Sequence, residues 1–242
     1  MDKRVCVICA HKDYEQYLPN AVRSFENQTY PCHLCVIDDG SKKTIDELIP
    51  YIFNKEEVEF VGSLGENTVV SGPKKTLIYM SENFGPSKAR NVGIKYFWNY
   101  DAFMILDADD EMYNTKVEEF VNKMNEDWDN IGVVYGDYVI FDEETGLEKL
   151  EYKSPFDALR LKTECIVHSQ SLINKLALDK CGLYREDLRT CEDFNLWLRI
   201  SKHFDICHIP KFLTRVRNHP NNSTYSVPQQ TWNKNFREAI NV

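Results

Sequence analysis

Nothing in this chain of 242 residues is apolar for long enough to cross a bilayer, which takes about 20 consecutive apolar residues. Met1-Asp2-Lys3-Arg4 passes directly into Val5-Cys6-Val7-Ile8-Cys9 without a signal-type apolar region, so a cytoplasmic protein with no transmembrane segment is expected. Positive charge is also short: 29 Lys and Arg face 38 Asp and Glu, for a formal net charge of -9. That excludes general affinity for nucleic-acid backbone or anionic membrane, which needs a basic face, and leaves only a local run of Lys202, Lys211, Arg215 and Arg217. Internal repeats and low-complexity stretches are absent. The eight cysteines lack metal-site spacing where it matters. Cys6/Cys9 and Cys32/Cys35 form two C-x-x-C pairs, yet both lie in or beside apolar strand-like runs, where residues three apart point to opposite faces. Cys165, Cys181, Cys191 and Cys207 are scattered. All eight suit free thiols in a reducing compartment, the buried ones acting as small hydrophobes.

What is present is enough apolar content, 43%, for a substantial core in one large α/β domain or two closely packed halves. Strand-like Arg4–Ala10 leads to a helical pattern of apolar residues at Tyr14, Tyr17, Leu18, Ala21, Val22 and Phe25. His33–Ile37 is a second strand, closed by Asp38-Asp39-Gly40-Ser41, and a helix follows near Thr44–Phe53. The polar, Gly-containing Gly62–Lys75 reads as an insertion forming a surface loop or irregular hairpin. Thr76–Met80 is a third strand; after Ser81–Ser87 comes a helix with Pro86 in its first turn and a stripe of Ala89, Val92, Gly93, Tyr96 and Phe97. Alternation of this kind implies a mostly parallel sheet with helices on both faces, its loops converging along one edge.

The fourth strand is the most informative. Phe103-Met104-Ile105-Leu106 is wholly apolar and ends in Asp107-Ala108-Asp109-Asp110. A strand buried on both faces delivers its last residues to the open end of a parallel sheet. Carboxylates crowded there repel one another, and a hard divalent cation relieves this while bridging to substrate phosphate oxygens. The alternative is a turn of solvated acids opening a helix. Beyond it, Thr115 with Glu118 predicts a capping box ahead of Val117, Phe120, Val121 and Met124. Ile131–Phe141 and Leu147–Tyr152 predict a hairpin, and Asn174–Cys181 a helix. A helix opens at Cys191-Glu192-Asp193, and a late strand, Ile206–Ile209, precedes a basic segment, Lys211–His219. The seam falls near Glu111–Asn114, between residues 1–111 and a smaller half, 112–242.

Several segments in this order resemble the family 2 glycosyltransferases and their nucleotide-sugar-binding, Rossmann-like GT-A fold, from about Val5 to about Thr224. They are Ser24–Tyr30, Val36–Ser41, Glu82–Gly93, Leu106–Asp110, Glu192–Arg199 and Arg217-Asn218-His219. The resemblance implies an enzyme that moves a sugar from a nucleotide-diphosphate donor, a UDP-sugar by preference, to a hydroxyl acceptor such as a glycan. It casts Asp39 as the carboxylate accepting the base N–H, with Ala10, His11 and Asn83 lining base and ribose and Arg90 near the nucleotide. Asp107, Ala108 and Asp109 resemble the D-x-D element meeting ribose and metal, Asp109 being the direct ligand of Mn²⁺ or Mg²⁺. His219 resembles the late histidine closing over metal and diphosphate. Asp193 is cast as the base that takes the acceptor's proton in one inverting displacement; simple charge complementarity at a helix start is its plainer role.

Three other functions compete with this one. A non-catalytic nucleotide-sugar-binding module would have no need of both Asp109 and Asp193. A sugar-nucleotide pyrophosphorylase would show a Gly-rich, Arg/Lys-bearing loop after the first strand, and Ala10-His11-Lys12-Asp13 is not one. The same transfer onto a hydroxymethylated DNA base or a protein changes only the acceptor; the net charge speaks against DNA. Lacking a C-terminal membrane helix, the chain is not expected to export a polymer processively.

Overall fold

The computed structural model describes residues 2–54 and 56–241. In chain order the first half runs β1 (Val5–His11), α1 (Leu18–Glu26), β2 (Cys32–Asp38), α2 (Ile45–Ile52), β3 (Phe60–Leu64), β4 (Asn67–Ser71), β5 (Lys75–Tyr79), α3 (Pro86–Tyr96) and β6 (Ala102–Asp107). The second half continues with β7 (Glu111–Met112), α4 (Lys116–Asn125), β8 (Ile131–Asp142), β9 (Glu148–Glu151), β10 (Leu172–Asn174), α5 (Lys175–Cys181), α6 (Glu192–Ile200), β11 (Asp205–Asn218), a helical turn α7 (Ser223–Ser226) and α8 (Gln229–Ala239). One mixed sheet joins them in the order β3-β4-β5-β2-β1-β6-β10-β8-β11-β7, with β9 paired to β8. Among the described residues no helix is long and apolar enough to cross a membrane.

Register explains why the polar turns meet. The four strands β5, β2, β1 and β6 are parallel neighbours. Ala10 stands opposite both Ile37 and Asp107, and His11 opposite Asp38, so three strands end at one level and their loops open together. Antiparallel β10 then reverses the sheet, and β11 runs parallel to β8. The short β7, just past the acidic turn, pairs with Thr214 and Arg215 of β11. This brings a segment over 100 residues downstream beside the acids.

Alternation along the central strands feeds two apolar layers. Cys6, Ile8, Ile37, Phe103 and Ile105 face α3 and α6, whereas Val5, Val7, Cys9, Val36, Met104 and Leu106 face α1, α2 and α4. Cys6 and Cys9 therefore point to opposite layers, and all eight cysteines are free. Helix α3 lies close to the sheet through Gly93, where an added Cβ would stand 2.6 Å from Cδ1 of Ile37.

Several expectations change. Gly62–Lys75 is neither loop nor irregular: its strands pair in regular register from Phe60↔Ser71 to Leu64↔Asn67 around Gly65, which has φ +61°, and β4 continues onto β5. The helix expected from Tyr14 begins at Leu18, leaving Tyr14 and Tyr17 in turns. The capping box at Thr115 does not form, because the Glu118 carboxylate accepts the Thr29 hydroxyl instead, at 2.7 Å. One forms at Thr44 and Glu47. The late strand extends from Asp205 to Asn218 and absorbs the basic segment. Its cations are compensated across the sheet: Lys211 by Glu119, Arg215 by Glu111 and Glu148, Arg217 by Glu111 and Glu143. A sequence window cannot see those partners.

Gly93→Ala should overpack α3 against Ile37 and Ile8 and lower stability by about 1–3 kcal/mol. Urea unfolding with an unchanged midpoint would show that α3 can move outward without cost.

Candidate functional site

The acidic turn assigns its three carboxylates different surroundings. Asp107, the last residue of β6, accepts from Nη2 of Arg90 at 3.0 Å, and Nη1 of Arg90 donates to Glu192 at 2.6 Å. Arg90 is buried; burial works against its charge, but Asp107 and Glu192 together raise its pKa, and it stays a cation. Arg90 thus lies beneath the turn, tying β6 to the start of α6. Its Nε has no partner among the described residues. Asp110 points away from the cleft: it accepts the backbone N–H of Arg217 at 2.7 Å and the Gln170 amide, and burial raises its pKa strongly. It pins the turn to β11.

Asp109 faces His219. Its Oδ2 lies 3.0 Å from Nε2 of His219 and 3.2 Å from Nδ2 of Asn222. Burial, then the neighbouring Asp107, raises the Asp109 pKa. The imidazole is held at its other nitrogen, where Nδ1 accepts the Asn221 N–H at 3.2 Å, so Nε2 carries the proton shared with Asp109. Tyr14 and Tyr17 pack on the ring with centroids 5.4 and 4.8 Å away. Arg217 fixes the approach, donating from Nε to the Asp109 carbonyl at 3.1 Å.

The donor set can be tested against a cation. Oδ2 of Asp109 and Nε2 of His219, 3.0 Å apart, are the two atoms that would hold a cation here. Ligation by Nε2 would place the imidazole proton on Nδ1, which here accepts the Asn221 N–H, so that contact would have to open. Among the described residues no cluster of three or more His, Cys, Asp or Glu forms a closed metal site. The residues therefore fit a cation that takes its remaining ligands from water and a diphosphate, as Mg²⁺ and Mn²⁺ do, with the imidazole favouring Mn²⁺.

On the other side of the cleft, Asp39 clamps a turn. Its carboxylate accepts from the backbone N–H groups of Phe84 and Gly85, both at 2.8 Å, and from Nδ2 of Asn83 at 3.0 Å. Three donors fill three of about four acceptor positions, leaving one for an incoming N–H. Burial is the largest influence on Asp39, and it raises the pKa. Gly40 is required: at φ +68° a Cβ there would come within 2.6 Å of the Asn83 backbone nitrogen. His11 lies beneath these loops, Nε2 accepting the Tyr14 N–H at 3.2 Å and Nδ1 3.4 Å from the Ser41 hydroxyl. Burial lowers its pKa to about 4, so it is neutral. Its ring braces the loops, Ala10 remains partly exposed beside it, and Ala108 is buried in the acidic turn.

Asp193 occupies the first turn of α6, directly after Glu192. Burial, reinforced by Glu192, pushes its carboxyl up to about 7, against the Phe194 N–H and Arg90, which favour the charge. Cys191 before it adopts a left-handed conformation, φ +60°, that turns the chain sharply into the helix.

The family model described as Glycosyl transferase family 2 matches residues 5–182, most of the chain. The chain belongs to this family. An uncharacterized glycosyltransferase of Rickettsia bellii (strain RML369-C) is 28% identical over 246 residues, covering 100% of this chain and 32% of the relative. The chain thus spans about a third of that relative's length. The crystal structure of S. aureus TarS 1-349 in complex with UDP superposes with a TM-score of 0.70 at 16% identity, over 98% of this chain and 64% of that one. The complex of the same fragment with UDP-GlcNAc gives 0.69 at 15% identity, over 94% and 61%. At such identity these structures establish the fold, the GT-A arrangement of a parallel-rich mixed sheet flanked by helices.

The family match ends at residue 182, before Asp193 and His219; His219 meets Asp109 of the matched part directly, and Asp193 is joined to it through its neighbour Glu192, which takes Arg90. Tyr14, Tyr17, Glu192, Arg217 and Asn222 join the site without having been singled out as site residues. Only Arg217 and Glu192 carried a signal, as neighbours of His219 and Asp193.

Arg90→Met should leave two carboxylates facing each other without their cation. A loss of about 3 kcal/mol is expected in denaturant unfolding. A Met variant as stable as the wild type would show that Asp107 and Glu192 find water instead.

Proposed function

We propose that the chain is the catalytic portion of an inverting, metal-dependent glycosyltransferase that moves a sugar from a UDP-sugar to a hydroxyl of a glycan. The observation that carries this is the buried bridge from Asp107 through Arg90 to Glu192, which holds the acidic turn and the Asp193 helix on one edge of the sheet. Membership of family 2 and the likeness to TarS, solved with UDP and UDP-GlcNAc, support the donor class. The remaining acceptor position on Asp39 suits a base edge with an N–H, as uracil has.

A divalent cation at Asp109 and His219 would supply neutralisation of the diphosphate as it leaves. Everything else falls to the chain. The loops of Asp39, Asn83 and Asp107 orient base and ribose, and Asp193 accepts the proton of the acceptor hydroxyl. The hydroxyl oxygen forms its bond to the anomeric carbon as the bond to the diphosphate oxygen breaks on the opposite face. One displacement inverts the configuration once. A carboxylate pushed up to about 7 is basic enough to take the proton and is about half ionised at neutral pH.

Asp193 must be ionised to act, so kcat/KM for transfer should rise with pH through about 7 and level off above it. Asp193→Asn should lose about 10²–10⁴-fold in transfer while binding UDP as the wild type does. Retention of configuration by proton NMR, or full activity of the Asn variant, would remove Asp193 from the reaction.

Transfer or donor hydrolysis should stop in excess chelator and return with Mn²⁺. Asp109→Asn should not be rescued by the metal. Turnover undiminished by chelation would exclude the cation at Asp109 and His219.

A further inference from the structure

Cys191, two residues before Asp193, borders a cavity open to solvent. It measures about 300 Å³ and is lined by Cys191, Thr224, Gln229, Trp232, Asn233 and Phe236. Its position is set by two segments already tied to the site: Cys191 is the residue from which α6 starts toward Asp193, and Thr224 follows closely after the His219–Asn222 turn. The remaining lining comes from α8. That helix presents Trp232, Asn235, Phe236 and Ala239 at helical spacing along one side. Phe236 stacks on Phe194 of α6, centroids 5.2 Å apart and planes within 9°. The Asn235 amide donates to the Thr190 hydroxyl at 3.0 Å, and the Asn195 amide donates to the Ala239 carbonyl at 3.0 Å. Helix α8 is therefore fastened to the base-bearing helix along its length, while Trp232, one turn earlier, is only partly buried and borders the cavity.

The lining chemistry is specific. None of the six side chains is ionised: burial, with Asp193 nearby, pushes the Cys191 thiol up to about 11, so it stays protonated. Nε2 of Gln229 donates to Oδ1 of Asn233 at 3.1 Å, which leaves the Gln229 carbonyl and the Asn233 amino group as one acceptor and one donor. An indole ring beside a matched amide donor and acceptor, with no cation in the lining, complements a ring that has an apolar C–H face and hydroxyl edges. A nucleic acid or phosphorylated acceptor would instead need basic side chains for its phosphates. At the low end of ligand-pocket volumes, which are on the order of 300–1,000 Å³, the cavity holds about one ring.

Resting on the transferase reading above, we infer that the cavity between α6 and α8 is the acceptor subsite, taking one neutral sugar ring stacked on Trp232 with its hydroxyls on Gln229 and Asn233. The acceptor class is then a neutral glycan, and α8 is a specificity element of the enzyme.

The test uses the full chain and needs no donor. Saturation-transfer NMR is recorded with the β-methyl glycosides of glucose, galactose and N-acetylglucosamine, and separately with a single-stranded DNA oligonucleotide. UDP affinity is measured on the same samples by calorimetry. At least one glycoside should receive saturation at its ring C–H protons, and Trp232→Ala should weaken its binding about tenfold with UDP affinity unchanged. Gln229→Ala with Asn233→Ala, two exposed positions whose loss spares the core, should weaken the same glycoside. Absence of glycoside binding, or binding equal in wild type and variants, overturns the subsite while UDP binding still upholds the donor reading. Trp232-dependent binding of the oligonucleotide in place of the glycosides overturns the acceptor class. If the wild type fails to bind UDP but shows Trp232-dependent glycoside binding, the donor reading falls and the sugar subsite stands.

Discussion

A guanidinium cannot give up its proton at any ordinary pH, so when it is buried the surrounding chain must bring carboxylates to it. Arg90 imposes this on the whole molecule. It leaves α3 beneath the acidic turn and takes Asp107 from the end of β6 and Glu192 from the opening of α6. Separating the two halves would strand a charge in a low-dielectric interior, which costs far more than the surface ion pairs elsewhere contribute. The bridge also sets the electrostatics of its neighbours. Asp193 feels Glu192 beside it and Arg90 behind it, and its proton affinity lies near neutrality because burial, Glu192 and Asp107 outweigh the Phe194 N–H and Arg90.

A second constraint comes from β11. A strand of 14 residues that pairs with β8 and reaches β7 runs past the acidic turn and ends at Asn218, one residue before His219. Asp110 takes the Arg217 backbone N–H, and Arg217 takes the Asp109 carbonyl, so the turn and the strand end are locked in register. The imidazole reaches Asp109 because of that lock. Tyr14 and Tyr17, left outside α1, complete the wall around it. The same polypeptide stretch then turns into α7 and α8, which places the Trp232 cavity against the Asp193 helix.

The parallel strands of the sheet are legible in the sequence, and their order is not. Apolar runs such as Phe103–Leu106 and the alternation of strands with amphipathic helices are local signals, and they identify β1, β2, β5 and β6 within a residue or two. Residues at the ends of those strands were legible for the same reason: parallel strands in register must open their loops together. The elements that escaped are those whose formation depends on partners far away. β7 has two residues and β10 three, and neither has a periodicity to read. The basic half of β11 reads locally as a basic segment beyond a short strand because Glu111, Glu119, Glu143 and Glu148, which neutralise it, lie about 70 to 105 residues away in the chain. The Thr115 capping box failed for a similar reason, since Glu118 found Thr29 across the fold.

By itself the sequence marked the acids after β6 by their place at a strand end, and its resemblance to the family 2 glycosyltransferases pointed to the Asp39 turn, the Glu192-Asp193 pair and His219. Tertiary structure decided what each one does. Asp107, Asp109 and Asp110 are alike in sequence, but one meets Arg90, one meets His219 and one pins β11. His11 is buried and neutral under the loops, and Arg90 is a bridge between halves. Side-chain type sets a range of charges and hydrogen bonds, whereas burial and the partners brought in by long-range pairing select one state from that range, and that selection exists only once the sheet has closed.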